Sequence, residues 1–284
     1  VIGLTIVALG TSAPEIFTSA VAALTDSPEI AIGNVIGSNI ANIGLVLGCT
    51  ALIVPLTIPA TLMRQEIPAL LFVTLLTFVL FFDGDLDWID GLILLILLAQ
   101  FSWHMYSNSK IKNASELDAD SDIAEFLTDH STAKATLWLL AGVTLMVLGS
   151  SILVWGARNL ALSMGVSELV VGLTIVAIGT SLPELATSVT SALKGHFELA
   201  IGNVVGSNIL NLLLVLPVPA FIKRVELDRM VLVRDYTVML VLTLLLAALI
   251  YILLPRKQQL GRKSGVVFIT FYLAYTALLI VKPS

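Results

Sequence analysis

Two glutamates close copies of one short motif in otherwise apolar stretches: Gly-Thr-Ser-Ala-Pro-Glu ends at Glu15, and Gly-Thr-Ser-Leu-Pro-Glu ends at Glu184. A charged side chain at the centre of a bilayer costs at least about 2.5 kcal/mol, so matched carboxylates point to a shared interior site. The chemistry on offer is that of a hard cation. Pro14 lacks an N–H and its ring clashes with the carbonyl four residues back, freeing carbonyls around Gly10 and Thr11. Pro183 does the same around Gly179 and Thr180. Freed carbonyls at membrane depth persist only where protein or an ion satisfies them. Within five residues each motif presents a backbone carbonyl (Thr11 or Thr180), a hydroxyl (Ser12 or Ser181) and a carboxylate (Glu15 or Glu184). Such an all-oxygen set suits hard cations and offers no soft ligand.

A second pair of motifs follows, GNVIGSNIAN from Gly33 and GNVVGSNILN from Gly202, adding Ser38, Asn39 and Asn42 against Ser207, Asn208 and Asn211. Ser38 and Asn42 are four apart and share a helical face. Gly33 with Gly37, and Gly202 with Gly206, form small-xxx-small pairs that let another helix approach closely. Alone this pattern fits packing in any helical bundle; joined to the Glu motif it enlarges the ligand set. Overlaid without a gap at an offset of 169, residues 1–47 and 170–216 agree at 30 of 47 positions, so the segment is duplicated with one carboxylate per copy.

The elements that must hold these residues are membrane helices. With 57% hydrophobic and 12% charged residues and a mean hydropathy of +1.00, the composition excludes a soluble globular domain. Runs of about twenty apolar residues predict nine spans, over 1–25, 29–54, 66–82, 88–106, 136–162, 167–193, 198–222, 235–254 and 265–281. The runs lack the alternation of barrel strands, so the fold class is all-α and polytopic. An acidic, apolar-poor segment, residues 107–135, reads as a hydrophilic linker between a first repeat over 1–106 and a second over 136–284. The Glu15 helix is the first span and the Glu184 helix the sixth; five crossings reverse direction, so the repeats are inverted, a plan that recurs in secondary transporters. The long apolar helix Leu137 to Leu162 precedes the second copy, whereas the first begins at Val1 without an initiator Met. The expectation is therefore a first repeat lacking its first helix, with an open cleft beside residues 1–54. The net charge of −5 lies in a few loops, and Cys49, the single cysteine, reads as packing. Nine Lys and Arg fall on the side of the linker and six on the other, which places the linker in the cytoplasm.

At these residues the chain resembles the cation/calcium exchanger superfamily, most closely its bacterial and archaeal sodium/calcium exchanger branch. The paired GTSxPE and GNxxGSN motifs are similar to that family's alpha repeats. The resemblance implies a ten-helix inverted-repeat antiporter exchanging Ca2+ for Na+ at a central cluster. Carried over by position, Glu15 and Glu184 with the carbonyls of Thr11 and Thr180 correspond to the calcium site. Ser12, Ser38, Ser181 and Ser207, with the carbonyls of Ala8 and Ala177, correspond to flanking sodium ligands. Asn42 and Asn211 line the middle, and some relatives carry Asp where Asn211 stands. With two carboxylates rather than three, an additional K+ is disfavoured. Expected partners are Ca2+, Na+ and the lipid bilayer of a prokaryotic inner membrane, with no cofactor, nucleic acid, obligatory protein partner or enzymatic activity.

The remaining features carry less. Asp83, Asp85, Asp87 and Asp90 have the spacing that opens a calcium loop, but Trp88 replaces the required Gly and no Glu closes the loop, so a solvated hairpin is expected. His104, His130 and His196 lack a second His at metal spacing. Glu29 and Glu198 occupy matching first turns and read as helix-dipole partners. Two alternatives stay open: a Ca2+/H+ antiporter, since a buried Glu can also exchange a proton, and a cation channel, which would normally repeat about the membrane normal.

Overall fold

An apolar run inside a bilayer must satisfy its own backbone, and the helix does so residue by residue. In the computed structural model, residues 8–112, 132–253 and 259–281 are described, and the apolar runs are helical there. The helices are α1 (Ala13–Leu24), α2 (Pro28–Ile53) and α3 (Leu62–Asp83), α4 (Trp88–Lys112) and α5 (Thr132–Met164). They continue with α6 (Glu168–Thr180), α7 (Leu182–Leu193), α8 (Phe197–Ile222), α9 (Val231–Tyr251) and α10 (Arg262–Val281). Among the described residues seven helices are long and apolar enough to cross a membrane alone, and α6 with α7, bent by 41°, makes an eighth where the pair is counted as one broken span. The span expected over 1–25 falls partly outside the described residues, with α1 its described portion. Helix reaches from both sides into the expected linker, to Lys112 and from Thr132; residues 113–131, with most of the acidic run and His130, lie outside the described residues.

The inversion is visible in which turns meet. On one face Lys223 pairs with Asp26 at 3.0 Å and Arg158 with Glu168 at 3.3 Å. There β2 (Asp85–Leu86) also runs antiparallel to β3 (Val225–Glu226). On the opposite face Thr61 donates to Glu198 at 3.2 Å, and β1 (Leu56–Thr57) pairs with β4 (Gln259–Leu260). Helix α1 runs into the first face and α7 into the second, so the two Glu helices are antiparallel.

The GN-motif helices form the centre: 78% of the apolar stretch of α2 and 83% of that of α8 is buried. Small residues permit this. A Cβ at Gly33 would lie 2.7 Å from Leu169 O, and one at Gly37 would lie 2.7 Å from Leu173 O, so α2 and α6 touch backbone to backbone. Both central helices widen into π-helix at the same repeat position, Asn42–Leu47 and Asn211–Val215. Such segments within α-helices frequently mark functional sites.

Helix α5 packs on α1, where Thr18 Oγ1 donates to Ser150 Oγ at 3.3 Å. A small apolar cluster of Ala22, Val154, Ala157 and Ala161 seals that contact, separate from the main core. The helix before the second repeat thus packs on the Glu helix of the first repeat and also on α6 of its own, where Val171 and Val176 join the same cluster. The place related to it by pseudo-symmetry adjoins α7 and the first residues of the sequence, of which 1–7 lie outside the described residues.

Candidate cation site

Each proline breaks its helix where the sequence requires. Around Pro14, Ser12 N–H reaches Ala8 O at 2.9 Å and Ile16 N–H reaches Ser12 O at 3.2 Å, while Gly10 O receives no ladder bond because Pro14 has no N–H. Around Pro183 the matched bonds are Ser181 N–H to Ala177 O at 3.0 Å and Leu185 N–H to Ser181 O at 3.1 Å. Both breaks start a new helix with Glu in its first turn, Glu15 in α1 and Glu184 in α7. Both glutamates are fully buried.

A pair of asparagines holds the breaks in place. Asn34 Nδ2 donates to Glu15 O at 3.3 Å and Ser19 Oγ at 3.0 Å; Asn203 Nδ2 donates to Glu184 O at 3.5 Å and Ser188 Oγ at 3.2 Å. Each then accepts from the other repeat: Thr180 Oγ1 donates to Asn34 Oδ1 at 3.0 Å, and Thr11 Oγ1 to Asn203 Oδ1 at 3.2 Å. These bonds fix both amides, since a flip would set oxygen against carbonyl oxygen. Asn34, Asn203, Ser19 and Ser188 escaped the sequence reading, although all four are identical between copies at the offset of 169. A polar residue repeated inside an apolar helix needs a partner, and that was the available signal.

The expected ligands fall into two groups. Ser38 Oγ lies 3.2 Å from Thr180 Oγ1, and Ser207 Oγ donates to Glu184 Oε1 at 3.4 Å. Ala8 O and Ala177 O each accept a ladder N–H and lie 3.2 and 3.3 Å from Thr11 Oγ1 and Thr180 Oγ1, whose single protons are shared with Asn203 and Asn34. The remaining expected side chains are buried with unpaired polar atoms: Ser12 Oγ, both oxygens of Glu15, both amide atoms of Asn42 and Asn211, Ser181 Oγ and Glu184 Oε2. Nine of the twelve buried side-chain polar atoms without a hydrogen-bond partner among the described residues belong to this set. Leaving one such buried atom unsatisfied costs about 1–3 kcal/mol, so each calls for a water or a ligand as its partner.

The electrostatics specify its sign. Glu15 senses the charge of Glu184, and two like charges in a low-dielectric interior are relieved by a bound cation or by a proton. Among the described residues no three of His, Cys, Asp and Glu come together. Several acids elsewhere have partners of their own. Asp235 is bound by Arg234 at 2.7 Å and by Tyr275 at 2.9 Å. Asp87 Oδ1 caps the start of α4 through Ile89 N at 2.8 Å, making the aspartate-rich turn a hairpin as expected. At that face the hydrogen bond and charge of Lys223 hold the Asp26 carboxyl below its usual range, and Arg224 does the same for Asp85.

Residues 1–107 and 134–281 match the family described as sodium/calcium exchanger protein. The inner membrane protein YrbG of Escherichia coli (strain K12) is 37% identical over 283 residues, covering 98% of this chain and 86% of the relative. The sodium/calcium exchanger MaX1 of Methanosarcina acetivorans is 31% identical over 317 residues, covering 98% and 88%. Among solved structures, the sodium-calcium exchanger NCX_Mj superimposes with a TM-score of 0.69 at 34% identity, over 98% of this chain and 86% of that one. Matched in both halves, and by relatives over nearly its whole length, the chain belongs to the sodium/calcium exchanger family of integral membrane transporters, which are not enzymes.

Proposed function

We propose that the protein is a secondary antiporter exchanging Ca2+ for Na+ by alternating access at one central site shared by Glu15 and Glu184. The observation that carries this reading is the convergence of nine unpaired buried polar atoms on the ligand set expected from sequence. Glu15 and Glu184, with the carbonyls of Thr11 and Thr180, take Ca2+. Ser12, Ser38, Ser181 and Ser207, with the carbonyls of Ala8 and Ala177, take Na+, and Asn42 and Asn211 complete the middle. One Ca2+ neutralises the two carboxylates. Replacement by three Na+ leaves one extra positive charge, worth about 2.3 kcal/mol per 100 mV of membrane potential. An ion that needs the same carboxylates competes with Ca2+, and competition at a site opened alternately to each side is antiport. The two repeats, residues 1–106 and 136–284, supply the halves that move relative to one another. Both ions are cargo, and no cofactor is required.

The test is Ca2+ uptake into proteoliposomes driven by an outward Na+ gradient or, separately, by a proton gradient. Uptake that follows Na+ and ignores the proton gradient supports the reading. Uptake that follows protons alone makes the protein a Ca2+/H+ antiporter.

A further inference from the structure

Asn39 and Asn208 occupy matching positions in the two repeats and touch each other, so they lie on the pseudo-two-fold axis. Both are 1% exposed. Identical residues meeting on an axis would, in a symmetric molecule, make identical bonds, yet these do not. Asn39 Nδ2 turns back along its own helix to Val35 O at 2.8 Å. Asn208 Nδ2 crosses between α8 and α2 to Asn39 O at 3.3 Å. Both bonds fix the amide orientation, because a flip would face two oxygens.

The mirror arrangement is available from the same atoms. Asn208 O receives Asn211 N–H and, among the described residues, no side-chain donor, whereas Asn39 O receives both Asn42 N–H and the Asn208 amide. In the mirror state Asn39 Nδ2 would cross to Asn208 O, and Asn208 Nδ2 would fold back to Val204 O. The two states have the same number and type of bonds and orphan no buried donor, so they are close in energy, as a bistable element must be. Rotation also breaks nothing else, since Oδ1 of each residue is without a partner. Both side chains stand just before a π-helical segment, where Asn42 N–H and Asn211 N–H are each already shared between two carbonyls.

We propose that Asn39 and Asn208 are a reciprocal hydrogen-bond switch whose cross-repeat bond reverses direction when the transporter reverses orientation. The proposal rests on the alternating-access reading above and adds the positioning residues that register which repeat holds which conformation. Asn208→Ala removes the cross-repeat bond seen here and the fold-back bond of the mirror, while Asn39→Ala removes the fold-back bond seen here and the cross-repeat bond of the mirror, so each shifts the balance by the difference between the two kinds of bond, with opposite sign. The single variants must therefore bias orientation in opposite senses, and the double variant must restore the original balance. The measurement is hydrogen exchange by mass spectrometry in lipid nanodiscs, comparing the face that contains residues 54–61 with the face that contains residues 223–230. That difference, at most one neutral hydrogen bond, is expected to change the ratio of exchange at the two faces by up to about tenfold. Opposite shifts that cancel in the double variant support the switch. Shifts of the same sign, or a double variant that keeps the shift of one single variant, overturn it. If an alanine variant is poorly folded, Asn39→Ser and Asn208→Ser, too short to bridge, are read by the same criteria. Opposed shifts in a protein without cation exchange would overturn the antiport reading alone. Full exchange with both single variants unshifted would overturn the switch alone.

Discussion

Truncating Asn34 should weaken Ca2+ binding without touching a ligand. Its amide donates to Glu15 O at 3.3 Å and Ser19 Oγ at 3.0 Å, and accepts from Thr180 Oγ1 at 3.0 Å. At about 0.5–1.5 kcal/mol per neutral bond, three bonds set an upper limit of about 4.5 kcal/mol. Thr180 Oγ1 retains Ser38 at 3.2 Å and Ala177 O at 3.3 Å, which lowers the loss. Removing a partner that orients a ligand typically weakens metal affinity about 10–100-fold, or about 1.4–2.8 kcal/mol, which lies inside that limit. Asn34→Ala is therefore expected to raise the Ca2+ dissociation constant by about 10–100-fold. The matched bonds of Asn203 are longer, at 3.5, 3.2 and 3.2 Å, so Asn203→Ala should cost less. The assay is calorimetric Ca2+ titration of the purified protein, with thermal stability in the absence of Ca2+ measured alongside. Ca2+ affinity within twofold of the unmodified protein in both variants, or a larger loss for Asn203→Ala, would refute the reasoning.

Two further outcomes follow from packing and charge. Gly37→Ala places a methyl 2.7 Å from Leu173 O and 2.7 Å from the Ala177 side chain; overpacking at this contact should destabilise by about 1–3 kcal/mol. Gly156→Ala on α5 meets nothing within 4 Å and should be neutral or slightly stabilising in a helix interior; thermal unfolding in detergent that ranks the two equally would contradict this contrast. Asn211→Asp adds a third negative charge beside two glutamates and should change selectivity between Na+ and Ca2+; unchanged selectivity in flux assays, or a K+ requirement in the unmodified protein, would show that carboxylate count does not set ion choice.

Much of the fold was legible because the bilayer makes hydropathy and the proline breaks decisive. Counting spans gave the inversion, and the duplicated Glu motif gave the centre. The position of α5 was not legible, because the overlay of repeats says which segments are equivalent but not which packs against which. The Thr18–Ser150 bond and the cluster of Ala22 with Val154, Ala157 and Ala161 show that α5 crosses to the other repeat. Asn34 and Asn203 were hidden for a related reason: their partners, Thr180 and Thr11, belong to the opposite copy, so no spacing within one motif connects them. The unequal bonds of Asn39 and Asn208 could not be read at all, since identical sequence positions predict identical environments.

The central claim is that one Ca2+ is held by both Glu15 and Glu184. The most direct measurement is radiolabelled Ca2+ flux in proteoliposomes carrying Glu15→Gln or Glu184→Gln, with membrane insertion checked in each. Each substitution leaves the other carboxylate as an uncompensated buried charge with too few hard ligands. The account predicts that either one alone abolishes Na+-driven Ca2+ exchange in an inserted protein. Near-normal Ca2+ flux in either variant would contradict it.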